Sequence, residues 1–191
     1  MIPNYNKPEY QKIRLAFFYD MECNRKPSSE GCLQNFAYSN LGKISDKFSE
    51  YKHVEAIYEF DDKKYRIGIS QKYPIVYKYS LEEKELNDLY VVFSWSVEKK
   101  QKEAFYNFLL KQWQAKKTFN HTAFRWNFIP YIGPCLQYDF YGDVYFCSEL
   151  IADALKVADI LPDCIPHMMT PDDVNAAMVS SYGLGANDSR K

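Results

Sequence analysis

The spacing of apolar and polar positions predicts strands in the first half of the chain and helices in the second. Ile13 to Tyr19 (IRLAFFY) is a short, largely apolar run. Asp20 and a polar stretch with Pro27, Ser28, Ser29 and Gly31 bound it, so it predicts a buried strand. Gln34 to Phe48 fits a short helix followed by a loop. Tyr51 to Phe60 (YKHVEAIYEF) reads as a strand with Lys52, Val54, Ala56 and Tyr58 on one face. His53, Glu55, Ile57 and Glu59 lie on the other. Asp61 to Lys64 is a turn, and Tyr65 to Ser70 (YRIGIS) pairs back as a hairpin. Pro74 leads into a strand from Ile75 to Tyr79. An acidic helix, Leu81 to Leu89, and a strand, Tyr90 to Trp95 (YVVFSW), follow.

Ser96 is the expected cap of a helix from Val97 to about Lys116, with Phe105, Phe108, Leu109 and Trp113 as its apolar stripe. Residues 118–141 are aromatic and irregular. After the Gly142-Asp143 turn, Leu150, Ile151, Ala154, Leu155 and Ala158 recur at steps of three and four. They predict a helix that opens at Cys147 and ends near Ile160. Pro162 and Pro166 enforce an extended exit. Thr170-Pro171-Asp172-Asp173 starts a last helix with proline at its first position. Residues 1–11 are expected as a loose arm, 12–178 as a single domain and 179–191 as a flexible tail. Strands gathered before the main helices, with no regular βαβ alternation, give an α+β class with a mostly antiparallel sheet.

Composition narrows the function classes. The net charge is −1 at pH 7, so no global bias points to nucleic acid or a membrane surface. The longest apolar runs are far too short to span a bilayer. The start, Met1-Ile2-Pro3-Asn4-Tyr5-Asn6-Lys7, has no signal-peptide core. Five cysteines, Cys23, Cys32, Cys135, Cys147 and Cys164, are an odd count, which fits free thiols in a reducing compartment. The expectation is an intracellular, cytoplasmic protein without a transmembrane segment.

Cys147 is the candidate nucleophile because it opens a helix, at the positive end of the helix dipole. A free cysteine, with a pKa of about 8.5, is only a few per cent ionised at pH 7. Making thiolate dominant takes about 3 kcal/mol, and a helix end supplies about 0.3–1 kcal/mol. A basic partner, most often histidine, must supply the rest. His53 starts a strand beside a hairpin, where a base can be rigidly aimed. His121 lies in the irregular aromatic segment, and His167 lies in a proline-bounded loop after Cys164. Cys23, Cys32, Cys164 and His167 have spacings unlike a usual zinc module. No glycine-rich phosphate loop is present. No metal and no cofactor are expected.

The ordered set of His53-Val54-Glu55 at a strand start, a long helix, Phe146-Cys147-Ser148-Glu149-Leu150 at a helix start, then Met169-Thr170-Pro171-Asp172-Asp173, resembles the circularly permuted papain-like hydrolases of the NlpC type. That branch includes bacterial lipoprotein-associated hydrolases, lecithin–retinol acyltransferase relatives and proteins of large DNA viruses. The resemblance spans roughly Ile13 to Val174. It implies a mostly antiparallel sheet packed against the cysteine-bearing helix and one long helix. It also implies a Cys147 nucleophile, a His53 base and an acyl-thioester mechanism on a peptide, amide or other acyl substrate. For the residue that orients the imidazole, Glu55 is preferred over Ser70 and Glu59. Trp126, Phe128 and Tyr131 are candidates to wall a cleft or to pack in the core. Two other outcomes stay open: a structural or binding protein, such as a virion component, and a lipid acyltransferase or thioesterase. A viral source and association with the virion would follow from the resemblance alone.

Overall fold

A computed structural model describes residues 10–19, 50–70, 73–80, 90–120 and 144–187. The chain is α+β. Its main sheet contains β1 (Tyr10–Phe18), β2 (His53–Phe60), β3 (Lys63–Gly68), β4 (Tyr77–Ser80), β5 (Tyr90–Glu98) and β8 (Ala186–Asn187), in the order β4-β3-β2-β1-β5-β8. All neighbours in it are antiparallel. Two short strands, β6 (Thr118–Phe119) and β7 (Val144–Tyr145), form a separate parallel pair. Among the described residues the helices are α1 (Lys99–Gln114), α2 (Cys147–Val157) and α3 (Pro171–Tyr182), with a 3-10 turn at Pro166–Met168.

The hairpin that leads to the site is set by its turn. Asp61 and Asp62 have φ values of 49° and 59°. Two left-handed residues in a two-residue loop match the twist of antiparallel strands, and aspartate tolerates that conformation better than most side chains. The turn fixes the register as Glu59 opposite Lys64, Ile57 opposite Arg66, and Ala56 opposite Ile67. Counting on places Gly68 across from Glu55.

Alternation then sorts the side chains. Ile13, Leu15, Phe17, Val54, Ala56, Ile67, Trp95 and Val97 join one large core with Phe105, Leu109, Leu150, Ile151, Leu155, Val174 and Met178 from the helices. The opposite face has its own smaller apolar group of Ala16, Ile57 and Val92, with Phe18 and Tyr90 against it. His53 and Glu55 alternate with Val54 and Ala56, yet all four are buried, so β2 is covered on both faces where it starts.

Several boundaries differ from expectation. Ser96 does not cap a helix. β5 runs on to Glu98 because Ser96, Val97 and Glu98 pair with Lys12, Gln11 and Tyr10 of β1. The helix begins one residue later, where the Gln101 side-chain oxygen accepts the Glu98 N–H at 3.1 Å. Its buried face is Phe105, Tyr106, Leu109 and Gln112, while Trp113 is exposed. Tyr106 displaces the expected stripe because its hydroxyl reaches under the sheet and donates to the Ile57 carbonyl at 2.6 Å.

The strand expected at Ile75–Tyr79 is Tyr77–Ser80, with Ile75 making an isolated bridge to Thr118. The cysteine helix ends at Val157 rather than near Ile160. Tyr10 and Gln11, expected in the arm, open β1. Val179 to Tyr182, expected as tail, complete α3, and Ala186–Asn187 pair with β5. That end is held by Trp95, whose indole N–H donates to the Gly183 carbonyl at 3.1 Å. A side chain at Gly185 would come within 2.8 Å of the same ring. The expected elements at Gln34–Phe48 and Leu81–Leu89 lie outside the described residues, as do residues 121–143 with His121, Trp126, Phe128 and Tyr131.

Candidate functional site

The first residue of β2 and the first residue of α2 meet. α2 packs on β2 and β3, and its Leu150, Ile151, Ala154 and Leu155 are fully buried in the shared core. The Glu149 carboxylate accepts the Phe146 N–H at 3.2 Å, and the Leu150 N–H donates to the Phe146 carbonyl at 3.0 Å. Together they hold the first turn at the point where Cys147 enters the helix.

His53 Nε2 lies 2.8 Å from Glu55 Oε1. An ionised carboxylate only accepts, so Nε2 carries the proton it donates. Nδ1 is buried and has no hydrogen-bond partner among the described residues. Cys147 lies close enough to act on the ring electrostatically, and Nδ1 is the nitrogen that Glu55 does not engage. Burial alone would lower the imidazole pKa. Cys147 and then Glu55 outweigh it and raise His53 to about 10.

Glu55 is a junction rather than a lone partner. Beside His53 it accepts from Arg66 Nε through Oε2 and from the Tyr77 hydroxyl through Oε1. Burial alone would raise its pKa, but His53 and then Arg66 hold it down at about 2. Burial and the charge of Glu55 push the Tyr77 hydroxyl well up, so it stays a donor. The carboxylate needs the space that Gly68 leaves. A Cβ there would sit 2.8 Å from Glu55 Cγ and 3.2 Å from the Tyr77 hydroxyl. The Arg66 guanidinium lies 4.8 Å from the Phe18 ring centre, 5.2 Å from Tyr79 and 5.7 Å from Tyr90. The Phe18 ring is in turn 5.2 Å from the His53 ring. Aromatic walls thus fix the arginine that fixes the glutamate.

The three residues singled out from sequence, Cys147, His53 and Glu55, are brought together. The other candidates for the orienting role are engaged elsewhere. Glu59 pairs with Arg14 at 2.6 Å, and Ser70 Oγ accepts the Tyr73 N–H at 3.2 Å. His167 sits in the 3-10 turn. Sequence reasoning missed Arg66 and Tyr77. Arg66 was within reach, because the turn at Asp61-Asp62 sets a register that puts it on the face of Glu55. Tyr77 was not, because β4 pairs through a separate connection.

Among the described residues no group of histidine, cysteine and carboxylate side chains is placed to hold a metal. Cys23 and Cys32 of the weighed zinc set lie outside those residues. Among the described residues no helix is long and apolar enough to cross a membrane. No protein-family model matches the chain, and no curated protein and no solved structure matches it.

Proposed function

We propose that the chain is a thiol hydrolase of permuted papain-like, NlpC-type architecture, with Cys147 as nucleophile, His53 as base and Glu55 orienting the ring. One observation carries this reading. A buried imidazole has one nitrogen tied to a buried carboxylate, leaves the other unpartnered among the described residues, and lies close enough to a helix-opening thiol to be acted on by it. Surface histidines do not need such a setting, and structural ones do not need the thiol.

In this reading Nδ1 holds the proton that Cys147 has given up, and the sulfur attacks a carbonyl carbon. A C–S bond forms as the carbonyl electron pair moves to oxygen. The Cys147 backbone N–H, at a helix position with no intrahelical acceptor, faces that oxygen. The oxygen pair returns, the bond to the leaving amine breaks, and the amine takes the proton from His53. Water then gives a proton to His53 and attacks the thioester, releasing the acid and the sulfur. Peptide or other amide bonds are the proposed substrates.

A second reading, a binding or structural protein that keeps the fold without turnover, draws on burial. Cys147, His53 and Glu55 are 4%, 5% and 1% exposed. Iodoacetamide labelling at pH 6 separates the two. The hydrolase reading expects Cys147 to react fast, and much more slowly in His53→Ala. Cys164, whose thiol burial pushes up, serves as the slow internal reference. Equal, slow labelling of both cysteines would favour the non-catalytic reading.

A further inference from the structure

We infer that Asp172 is a positioning residue: from the first turn of α3 its carboxylate clamps the two backbone amides that lead into His53. This rests on the Cys147–His53 reading above. Asp172 Oδ1 accepts the Tyr51 N–H at 2.8 Å and Oδ2 accepts the Glu50 N–H at 2.9 Å. The helix does not need Asp172 as its cap. Thr170 and Asp173 already close that end, with Thr170 N–H to Asp173 Oδ2 at 2.9 Å and Asp173 N–H to Thr170 Oγ1 at 3.2 Å. Asp172 is therefore spare to reach another segment, and a carboxylate fork suits two successive amides.

The clamp falls where β2 is paired on one side only. His53 pairs with Phe18 of β1, but β3 pairs with β2 only from Ala56 onward. The His53 end of the strand thus has a ladder partner on one side. Lys52 N–H donates to the Phe18 carbonyl at 2.7 Å, and Asp172 holds the two residues before it. α3 is in turn tied to the cysteine. Ser148, the residue after Cys147 and fully buried, donates its hydroxyl to the Met169 carbonyl at 2.7 Å. The sulfur and the imidazole are referred to each other through Ser148, Met169, Asp172 and Tyr51, independently of the sheet.

The test compares Asp172→Ala, Asp172→Asn and Asp173→Ala, reading the iodoacetamide rate of Cys147 at pH 6 by mass spectrometry and stability by urea midpoint. Small displacements of reacting groups cost large factors, so Asp172→Ala is expected to slow Cys147 about tenfold or more. Asp172→Asn keeps one acceptor oxygen and is expected to fall between. Asp173→Ala loses the carboxylate half of the capping box, so its midpoint drops, but its Cys147 rate stays within about twofold of wild type. An Asp172→Ala rate equal to wild type overturns the proposal, as does a loss in both alanine variants that merely follows their midpoints. If Asp172→Ala does not fold, a wild-type rate in Asp172→Asn overturns it. A fast wild type, a slow His53→Ala and a fast Asp172→Ala would remove this proposal alone. A wild-type Cys147 no faster than Cys164 removes the Cys147–His53 reading and this proposal with it.

Discussion

Glu55 approaches His53 from two residues along the same strand, with Oε1 2.8 Å from Nε2. Neighbours at that spacing point to the same face of a strand, so the strand backbone itself puts the pair side by side. The packed structure adds Arg66, Tyr77 and Cys147 around them.

Glu55→Gln keeps the size of the side chain and removes its charge. The imidazole loses a charged partner and Arg66 is left buried beside a neutral amide. Both the fast alkylation of Cys147 and any hydrolase activity should fall about 100-fold or more, with stability lowered by about 3 kcal/mol. Urea titration reads the second effect and labelling kinetics the first. A variant with wild-type labelling would remove Glu55 from the site.

Gly68→Ala tests the same carboxylate from the opposite strand. The new methyl would meet Glu55 Cγ at 2.8 Å, so Glu55 or the strand must move. The expected cost is about 1–3 kcal/mol, with slowed Cys147 labelling because the imidazole loses its alignment. Crystal or NMR comparison of the variant should show Glu55 displaced from His53.

Stability should depend on pH at both ends. Glu55 is held at about 2 against an ordinary value of 4.5, so its contribution is present above about 4.5 and is lost as pH falls through 2. His53 is raised from 6.5 to about 10, so its contribution is present below 6.5 and is lost as pH rises through 10. Urea midpoints taken from pH 2 to pH 10 should therefore be highest between about 4.5 and 6.5. Glu55→Gln should flatten the acid limb and His53→Ala the alkaline one.

Tyr106→Phe serves as a structural contrast. The hydroxyl donates to the Ile57 carbonyl at 2.6 Å, and the ring packs in the core. Its loss leaves a buried carbonyl without that partner, at a cost of about 1–2 kcal/mol. Cys147 labelling should be unchanged when compared at equal fraction folded.

The two halves of the site were legible in the residues to different degrees. Strand and helix periods identified where His53 and Cys147 stand, because each lies at the start of a strongly patterned element. The period of two also put Glu55 on the face of His53. The same patterning misplaced the start of α1 at Ser96, because pairing of Ser96 to Glu98 with β1 outweighed a local capping preference.

What the sequence determined by itself is the local geometry: alternation along β2, a chain reversal after Phe60, and the apolar stripe of α2. These depend on backbone sterics and on burial of neighbouring side chains, which act over a few residues. The residue pattern puts the turn at Asp61 to Lys64, whereas Lys63 and Lys64 pair with Phe60 and Glu59. Only the tertiary structure decided which groups meet. The links from Cys147 to His53, from Tyr77 to Glu55, and from Asp172 to Tyr51 and Glu50 join segments 22 to 122 residues apart. Such contacts are selected by how the sheet and the described helices bury their apolar faces together, and no short-range pattern encodes that.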